Sequence, residues 1–510
     1  MTSTTPSVPR PAAAAAGTRP WGLLTVLAGN MLIDALEVSV LVVAAPAIGA
    51  DLHLAPAGTQ WTMSGFALGF AGLLLLGPRL AARWGRRRLY LTALAVFAVA
   101  SLVAGIATDP VLLVATRFVK GGCAALTAPM GLAIIMSVFP EGPVRRRAIS
   151  VYTLFGASGF ATGLLLSGLL TGWDWRYTLA FPAPVVAVLF VAGLRLIPAQ
   201  EPGEGAAGAA RQPLPLARVL LLTAGTAALV GGIAHVPTDG WTGPRTAGLL
   251  LTAVVLFALL VVRERRSAAP ILPASVRASA ALRRSALGAA CLNGSYLGML
   301  FIATLQLQDE LGRSPLQTAL AFLPASLPLA LTALHSGAMV ERFGARPLIA
   351  LGSLAAFAGY LLLLRENTSY VTGLLPSLLL VGAGFVLAFT ALNTQAVSEA
   401  AGSEKAVAGA AYQTAVQAGA ALMPALAAAL LTTGTGTPDH RSAHLLVAAV
   451  GLLGVVTALA GPGRVFRIIP GPRRLARHLA ALSHCPRTTR YEGNAPPCDA
   501  PHQTPRPDPG

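Results

Sequence analysis

The segment NMLIDALEVSVLVVAAPAI, residues 30–48, is an apolar run that contains two carboxylates, Asp34 and Glu37. It belongs to a hydrophobic stretch from Trp21 to about residue 44, which is long enough to cross a bilayer as a helix. The apolar region of a signal peptide has only about 7–15 residues, so this stretch is predicted to remain in the membrane. A charge inside such a helix costs a few kcal/mol even on lenient scales, and the two carboxylates are therefore expected to serve a function.

The rest of the chain has the same character. Its 510 residues are 55% hydrophobic and only 11% charged, and the mean hydropathy is +0.67. Thirteen further apolar segments approach the roughly 20 residues that a membrane span needs, which predicts an all-α integral membrane protein with 14 transmembrane helices. The net charge of +17 would suggest a nucleic-acid partner in a soluble protein, but this hydropathy excludes that class and indicates a lipid bilayer instead.

The basic residues predict the orientation of the helices. Most of the 37 Lys and Arg residues lie in connections on one side, including residues 79–88, 145–147 and 263–284. Cytoplasmic loops carry such an excess, so both termini are predicted to be cytoplasmic in a multi-pass protein of the cell (plasma) membrane. Residues 1–20 and the basic, Pro-rich residues 462–510 are predicted to be disordered.

Two inner connections have related sequences. RLAARWGRRR (79–88) follows the second apolar segment, predicted as a span over residues 58–78. AMVERFGARP (338–347) follows the tenth, predicted as a span over residues 315–340. Each contains an arginine, an aromatic residue, a glycine and a further arginine. Repeats in corresponding loops favour two related helical bundles, which is a common design among transporters.

These residues resemble the major facilitator superfamily, and in particular its fourteen-helix drug:proton antiporters, over about residues 29–461. GAMVERFGAR (337–346) is similar to the family's inner-loop pattern G-x-L-a-D-r-x-G-r-k, with Glu341 in the acidic place. The first copy, PRLAARWGRR (78–87), departs from the pattern, with Pro78 for the first glycine and Ala82 for the acid. The resemblance implies that this acid helps to close the cytoplasmic gate, so Glu341 is expected to carry more of that task.

Three spans also resemble the family. LEVSVLVVAAPAI (36–48) is similar to the first-helix pattern L-D-x-T-x-x-N-x-A-x-P-x-I and places Glu37 where the family has Asp. RFVKGGCAA (117–125) is similar to the fourth-helix pattern, with Arg117 retained and Lys120 in the place of Gln. The fifth-helix antiporter pattern is incomplete, because Leu164 replaces Pro and Ser167 replaces Gly.

The resemblance implies two six-helix bundles, residues 21–198 and 264–461, with a linker and two extra transmembrane helices in residues 199–263. It further implies export of a drug-like organic compound, such as an antibiotic or antiseptic, by alternating access. Protons would be the second partner, with the proton gradient as the energy source and no cofactor. We expect the protein to function as a monomer.

Asp34, Glu37, Arg117 and Lys120 are predicted to form the proton-coupling cluster. Within each helix the two charges are three residues apart on one face, and at about 1.5 Å per residue the acids and bases reach overlapping depths. One hypothesis is a permanent ion-pair network that fixes helix packing. The other is that Glu37 binds a proton when Arg117 moves away and releases it when Arg117 returns. Asp34 would be a second proton carrier or a counter-charge for Lys120.

Two further sets of residues are candidates. The predicted cytoplasmic gate contains Arg83, Gly85, Arg86, Arg87, Glu341, Arg342 and Gly344. Polar residues of the second half can line a substrate cavity or join helices by hydrogen bonds; these are Asn293, Tyr296, Gln306, Asn393, Tyr412, Gln413 and Gln417.

Other functions remain open alternatives. A facilitator or importer without proton antiport is favoured by Leu164 and Ala82, and a non-transporting membrane sensor is a second alternative. The sequence has no nucleophile–base set, metal-ligand cluster or G-x-x-x-x-G-K-[ST] nucleotide loop. The protein is therefore not expected to be an enzyme, a metal-binding protein or an ATP-driven pump.

Overall fold

The computed structural model describes residues 19–198, 214–267, 270–365, 369–432 and 440–460. The predicted terminal segments, apart from residues 19–20, lie outside these residues, and so do residues 199–213 at the start of the predicted linker region. The described part is helical, and thirteen of its helices are long and apolar enough to cross a membrane. A fourteenth span results if one bent pair of helices is counted as a single crossing. The prediction of an all-α membrane protein with about fourteen spans is confirmed.

The first half and the two extra spans follow the predicted order. The helices are α1 (Arg19–Asp51), α2 (Pro56–Leu74), α3 (Gly77–Trp84), α4 (Arg86–Gly105), α5 (Pro110–Val138), α6 (Pro143–Thr171), α7 (Trp175–Ala180), α8 (Pro182–Leu196), α9 (Leu216–Asp239) and α10 (Pro244–Arg265).

The second half repeats the alternation of long spans and short inner helices. Its helices are α11 (Ala274–Ala278), α12 (Ala280–Leu305), α13 (Pro315–Thr332), α14 (Ser336–Phe343), α15 (Ala345–Leu362), α16 (Leu375–Ala396), α17 (Lys405–Thr432) and α18 (His440–Leu459). A π-helical turn, Gln306–Glu310, extends α12, and a second one, Tyr370–Leu374, precedes α16.

Several predicted spans are interrupted. The predicted span 58–78 ends as α2 at Leu74, and α3 continues at an angle of 57° with Pro78 in its first turn. The predicted span 315–340 is divided into α13 and α14. A proline fits the first turn of a helix, where its missing N–H leaves no hydrogen bond unmade, so it marks the start of a new segment.

The two related loops have the same backbone. In each, a short helix ends at a glycine with positive φ, +80° at Gly85 and +82° at Gly344, and the next helix begins at the following residue. Glycine adopts this conformation without the steric cost that a Cβ adds. The conserved geometry explains why both copies of the loop sequence have glycine at this position.

The two halves meet along α2 and α17 and where the end of α6 approaches the start of α13. The Ser64 hydroxyl donates to the Ala421 carbonyl at 2.7 Å, and the Gln308 amide donates to the Val43 carbonyl at 2.9 Å. Gly168, near the end of α6, lies so close to the start of α13 that a Cβ there would be 2.6 Å from the Ala319 side chain.

At the end of the molecule opposite the α6–α13 contact, the short helices pack within their own halves, α3 against α4 and α5, and α14 against α15 and α16. The residues of α14 are all at least partly exposed. With the predicted orientation, the closed end would be extracellular and the structure would face the cytoplasm.

Candidate functional site

The buried charges of the first half converge on Glu37. This residue of α1 is fully buried and forms ion pairs with two cations of α5, Arg117 and Lys120, which are equally buried. The Arg117 guanidinium contacts Glu37 Oε2, and the Lys120 ammonium lies 2.6 Å from Glu37 Oε1. The predicted meeting of these charges is therefore present, with one carboxylate between two cations.

The two cations are held by several helices. The Arg117 guanidinium also donates to the backbone carbonyls of Glu37 at 2.9 Å and Thr62 at 3.2 Å. It lies 4.8 Å from the centre of the Phe66 ring, while the Lys120 ammonium lies 5.1 Å from the centre of the Phe97 ring. Aromatic faces and carbonyls attract cations, so these contacts partly replace the water that burial removes.

Close helix contact makes this arrangement possible. Gly69 of α2 and Gly121 of α5 face the backbone of the other helix, where a Cβ would lie about 2 Å from a carbonyl oxygen. The spacing of three residues places Arg117 and Lys120 on one face of α5. Both side chains consequently reach the same carboxylate.

Asp34 has a different environment. It is 4% exposed, and its Oδ2 accepts hydrogen bonds from the Asn30 amide at 2.9 Å and the Thr127 hydroxyl at 2.8 Å. Its Oδ1 makes no hydrogen bond to any described residue, and none of the described cations forms an ion pair with it. Lys120 thus pairs with Glu37 and not with Asp34.

Asn30 and Thr127 were missed as site residues in the sequence. Asn30 lies four residues before Asp34, a spacing that places two side chains on the same helix face, and this was the available signal. Thr127 could be found only once α1 and α5 were packed together.

We expect Asp34→Asn to change the free energy of unfolding by only about 1 kcal/mol or less. An isolated buried carboxylate is so costly that it binds a proton, and asparagine has nearly the shape of the neutral acid. Equilibrium unfolding of the purified protein in mixed micelles with increasing sodium dodecyl sulfate would measure this. A loss of several kcal/mol would show that Asp34 carries a charge that the protein depends on.

The predicted gate residues lie at the open end. Arg83, Arg86, Glu341 and Arg342 are exposed, and the half-buried Arg87 donates to the Leu194 carbonyl at 2.6 Å. Among the described residues, no ion pair joins the arginines of the first loop to Glu341 of the second. A gate between these loops stays a prediction for the opposite conformation.

The predicted cavity residues are partly brought together. Tyr296 and Tyr412 are buried and belong to an aromatic row, and the Asn293 amide donates to the Val416 carbonyl at 3.2 Å. Gln413 is half-buried, and Gln417 lines a small pocket between α2, α9 and α17. Asn393 is exposed near the end of α16, and Gln306 lines a separate cavity at the closed end.

The aromatic row crosses from one half to the other. Ring centres are 5.6 Å apart between Phe160 and Tyr296, 4.9 Å between Tyr296 and Phe385, and 4.9 Å between Phe385 and Phe389, whose rings are stacked. The Phe389 ring lies 6.3 Å from that of Tyr412. Such a row can bind a flat aromatic ligand by offset or edge contacts.

Comparison with known proteins gives matches over most of the chain. A family model described as Major Facilitator Superfamily matches residues 27–424 and 286–477. The puromycin resistance protein pur8 of Streptomyces alboniger is 36% identical over 84% of this chain and 85% of its own length. The cephamycin export protein CmcT of Amycolatopsis lactamdurans is 34% identical over 83% and 88%, respectively. The solved structure of the xylose transporter XylE from E. coli has the same fold, with a TM-score of 0.59 at 12% identity over 88% of this chain and all of that one.

Proposed function

The chain belongs to the Major Facilitator Superfamily, and on this basis we propose that it exports an amphipathic organic compound by proton antiport. The observation that carries the proposal is the fully buried Glu37 between Arg117 and Lys120. Charged groups at this depth are costly and typically mark the path of an ion or a substrate. The proposed setting is the cell membrane, with both termini in the cytoplasm and the monomer as the working unit.

The proton would be carried by Glu37. In the described conformation the carboxylate is paired with two cations, which favours the deprotonated form. When a rearrangement of α1 and α5 separates it from Arg117, the same carboxylate is left in an apolar site and binds a proton. Alternation between these two states couples proton entry to the change of access, with Asp34 as a second protonatable group.

The proton gradient is sufficient for export. One charge moving through 100 mV releases about 2.3 kcal/mol, which corresponds to a substrate gradient of roughly fiftyfold. In the opposite conformation the loops with Arg83, Arg86, Arg87 and Glu341 are proposed to close the cytoplasmic side by contacts between unlike charges.

The substrate is proposed to be an aromatic amphiphile of antibiotic type. The relatives are named for puromycin resistance and cephamycin export, and another is named for tetracenomycin C resistance and export. The aromatic row from Phe160 to Tyr412 supports a flat ring system in the substrate. Neighbouring uncharged amides such as Asn293 and Gln417 suit polar groups at its edge.

We expect Tyr296→Leu to raise the KM for an aromatic substrate about two- to tenfold with a smaller effect on kcat. The variant loses the Tyr296 ring that is proposed to contact the substrate. An aromatic pair contributes about 0.5–1.5 kcal/mol beyond its buried area, which corresponds to about two- to tenfold in affinity. Concentration-dependent uptake into inverted vesicles would give both constants. Tyr296→Phe retains the ring and is the matched control; an unchanged KM in the leucine variant would remove this row from the substrate site.

The proposed function itself is tested by uptake into inverted membrane vesicles with an imposed pH gradient. The panel contains puromycin, a cephamycin, tetracenomycin C and lincomycin, the compounds for which relatives are named. Antiport predicts uptake that stops when the pH gradient is collapsed. Uptake that is indifferent to the gradient would indicate the facilitator, and the absence of any uptake from this panel would count against export of this compound class.

A further inference from the structure

A large cavity lies in the second half, away from the buried charges around Glu37. Its volume is about 970 Å³, within the range of sites that hold organic ligands. It lies between the ends of α12 and α15 and the beginnings of α13, α16 and α18, at the closed end of the molecule. It is lined by residues of the second half alone, and a ligand site there does not depend on the proposed export activity.

The charged residues that line this cavity are mostly basic. They comprise three arginines, Arg313, Arg365 and Arg441, and one acid, Glu310. The guanidinium groups of Arg313 and Arg365 are exposed and form no ion pair with any residue in the described ranges. Asp309 adds a second carboxylate on the same turn but does not line the cavity. The positive charge therefore exceeds the negative charge.

Glu310 already has a partner. Its Oε1 lies 2.5 Å from His440 Nε2, so this carboxylate is engaged within the protein. The pairing leaves the two arginines as the available charged groups at the mouth of the cavity. Their planar guanidinium groups match the oxygen pairs of carboxylate, sulfonate and phosphate groups.

The interior of the cavity offers apolar surface and two histidine nitrogens without a hydrogen-bond partner among the described residues, His440 Nδ1 and His444 Nδ1. Leu320, Leu362 and Leu374 line its walls. His444, which also lines it, is 5% exposed, and its Nδ1 makes no hydrogen bond to any residue that the structure describes. Buried polar side chains normally have a partner, so an unpartnered histidine facing a cavity indicates a group that is supplied from outside the chain.

We propose that this cavity binds an amphipathic organic anion. Its acidic group lies between Arg313 and Arg365, its apolar part contacts the leucine walls, and a polar atom reaches His444. The same chemistry is present in an anionic phospholipid and in a dissolved organic acid. The experiment below distinguishes these two sources.

The charge preference is tested with the full chain in phosphatidylcholine nanodiscs. A cysteine is introduced by Leu320→Cys after replacement of Cys485 and Cys498 by Ser, and it is modified with methanethiosulfonate reagents that carry a sulfonate or a trimethylammonium group. Leu320 is 50% exposed, whereas Cys123 and Cys291 are buried. We expect Arg313→Gln combined with Arg365→Gln to lower the ratio of sulfonate to trimethylammonium rates about tenfold. Arg245→Gln, an exposed arginine at the same end but outside the cavity, is the matched control and should leave the ratio unchanged.

Binding is tested by protection of the same cysteine from N-ethylmaleimide. Protection by added taurocholate in phosphatidylcholine nanodiscs supports a dissolved anion, and protection only in phosphatidylglycerol nanodiscs supports a lipid. In either case His444→Phe should weaken the protection, with size-exclusion elution checking that the variant is folded. If neither taurocholate nor phosphatidylglycerol protects the cysteine, the proposal is overturned even when the reagent ratio changes. Protection that persists after both arginines are replaced also overturns it.

Discussion

Glu37→Gln is expected to abolish proton-driven accumulation of substrate while leaving exchange of substrate across the membrane. The wild-type protein can build a gradient of roughly fiftyfold for each 100 mV of proton-motive force, whereas the variant should reach a ratio of about one. Glutamine keeps the size of the side chain but has no exchangeable carboxyl proton. Uptake into inverted vesicles with an imposed pH gradient, compared with exchange against preloaded substrate, measures both activities.

Three variants make this result interpretable. Glu37→Asp retains an acid and should keep some coupling, while Asp34→Asn removes the second buried carboxylate of α1. Glu37→Gln alone leaves two buried cations without an anion. The third variant therefore combines it with Lys120→Met, so that Arg117 is the only buried cation left without this partner. Accumulation that persists in Glu37→Gln, with normal amounts of folded protein, would contradict Glu37 as the proton carrier.

Glu37→Gln is also expected to lose more stability than removal of either cation. In Arg117→Met or Lys120→Met the carboxylate keeps one counter-charge, whereas without the carboxylate both cations are buried and unpaired. Loss of a partner from a buried ion pair typically costs about 3–5 kcal/mol. Arg117→Met should follow, because it also leaves the carbonyls of Glu37 and Thr62 without this donor, and Lys120→Met should cost least.

Equilibrium unfolding in mixed micelles with sodium dodecyl sulfate gives this order directly. Val119→Met, at an exposed position on the same helix, is the matched control and should change stability little. If Lys120→Met lost as much stability as Glu37→Gln, another charged group in the cluster would have to depend on Lys120. Asp34 would then be the first group to examine, since it lies on the same helix as Glu37.

The spans and the partners of the charge cluster could be predicted from the sequence because they depend on composition and spacing. An apolar run of about 20 residues has few alternatives to crossing the membrane. The depths of Glu37, Arg117 and Lys120 follow from the helical rise. The glycines of the two related loops indicated a repeated turn, which the positive φ at Gly85 and Gly344 explains.

The pairing within the cluster could not be predicted. Asp34 and Glu37 differ by about 60° around α1, so a small rotation of that helix decides which acid faces Lys120. This rotation depends on the packing of α1 against α6, where Gly159 approaches the Leu32 carbonyl. The sequence does not specify this rotation, so it left open whether Asp34 or Glu37 pairs with Lys120.

The cavity of the second half was also beyond sequence analysis. Its walls come from three separate stretches of the chain between residues 303 and 444, and its basic residues lie at helix ends, where arginines are common. Gln306, a polar residue in an apolar span, was a candidate for a substrate cavity or for hydrogen bonds between helices. The π-helical turn that begins at this residue instead places it on the cavity at the closed end.

The most direct test of proton coupling is a cryo-electron microscopy structure of the opposite, outward-open conformation. If Glu37 exchanges a proton with the gradient, its carboxylate should lie farther than about 4 Å from the Arg117 guanidinium in that state, beyond ion-pair distance. An ion pair that is retained in both conformations would contradict the account and would leave the cluster as a permanent packing element.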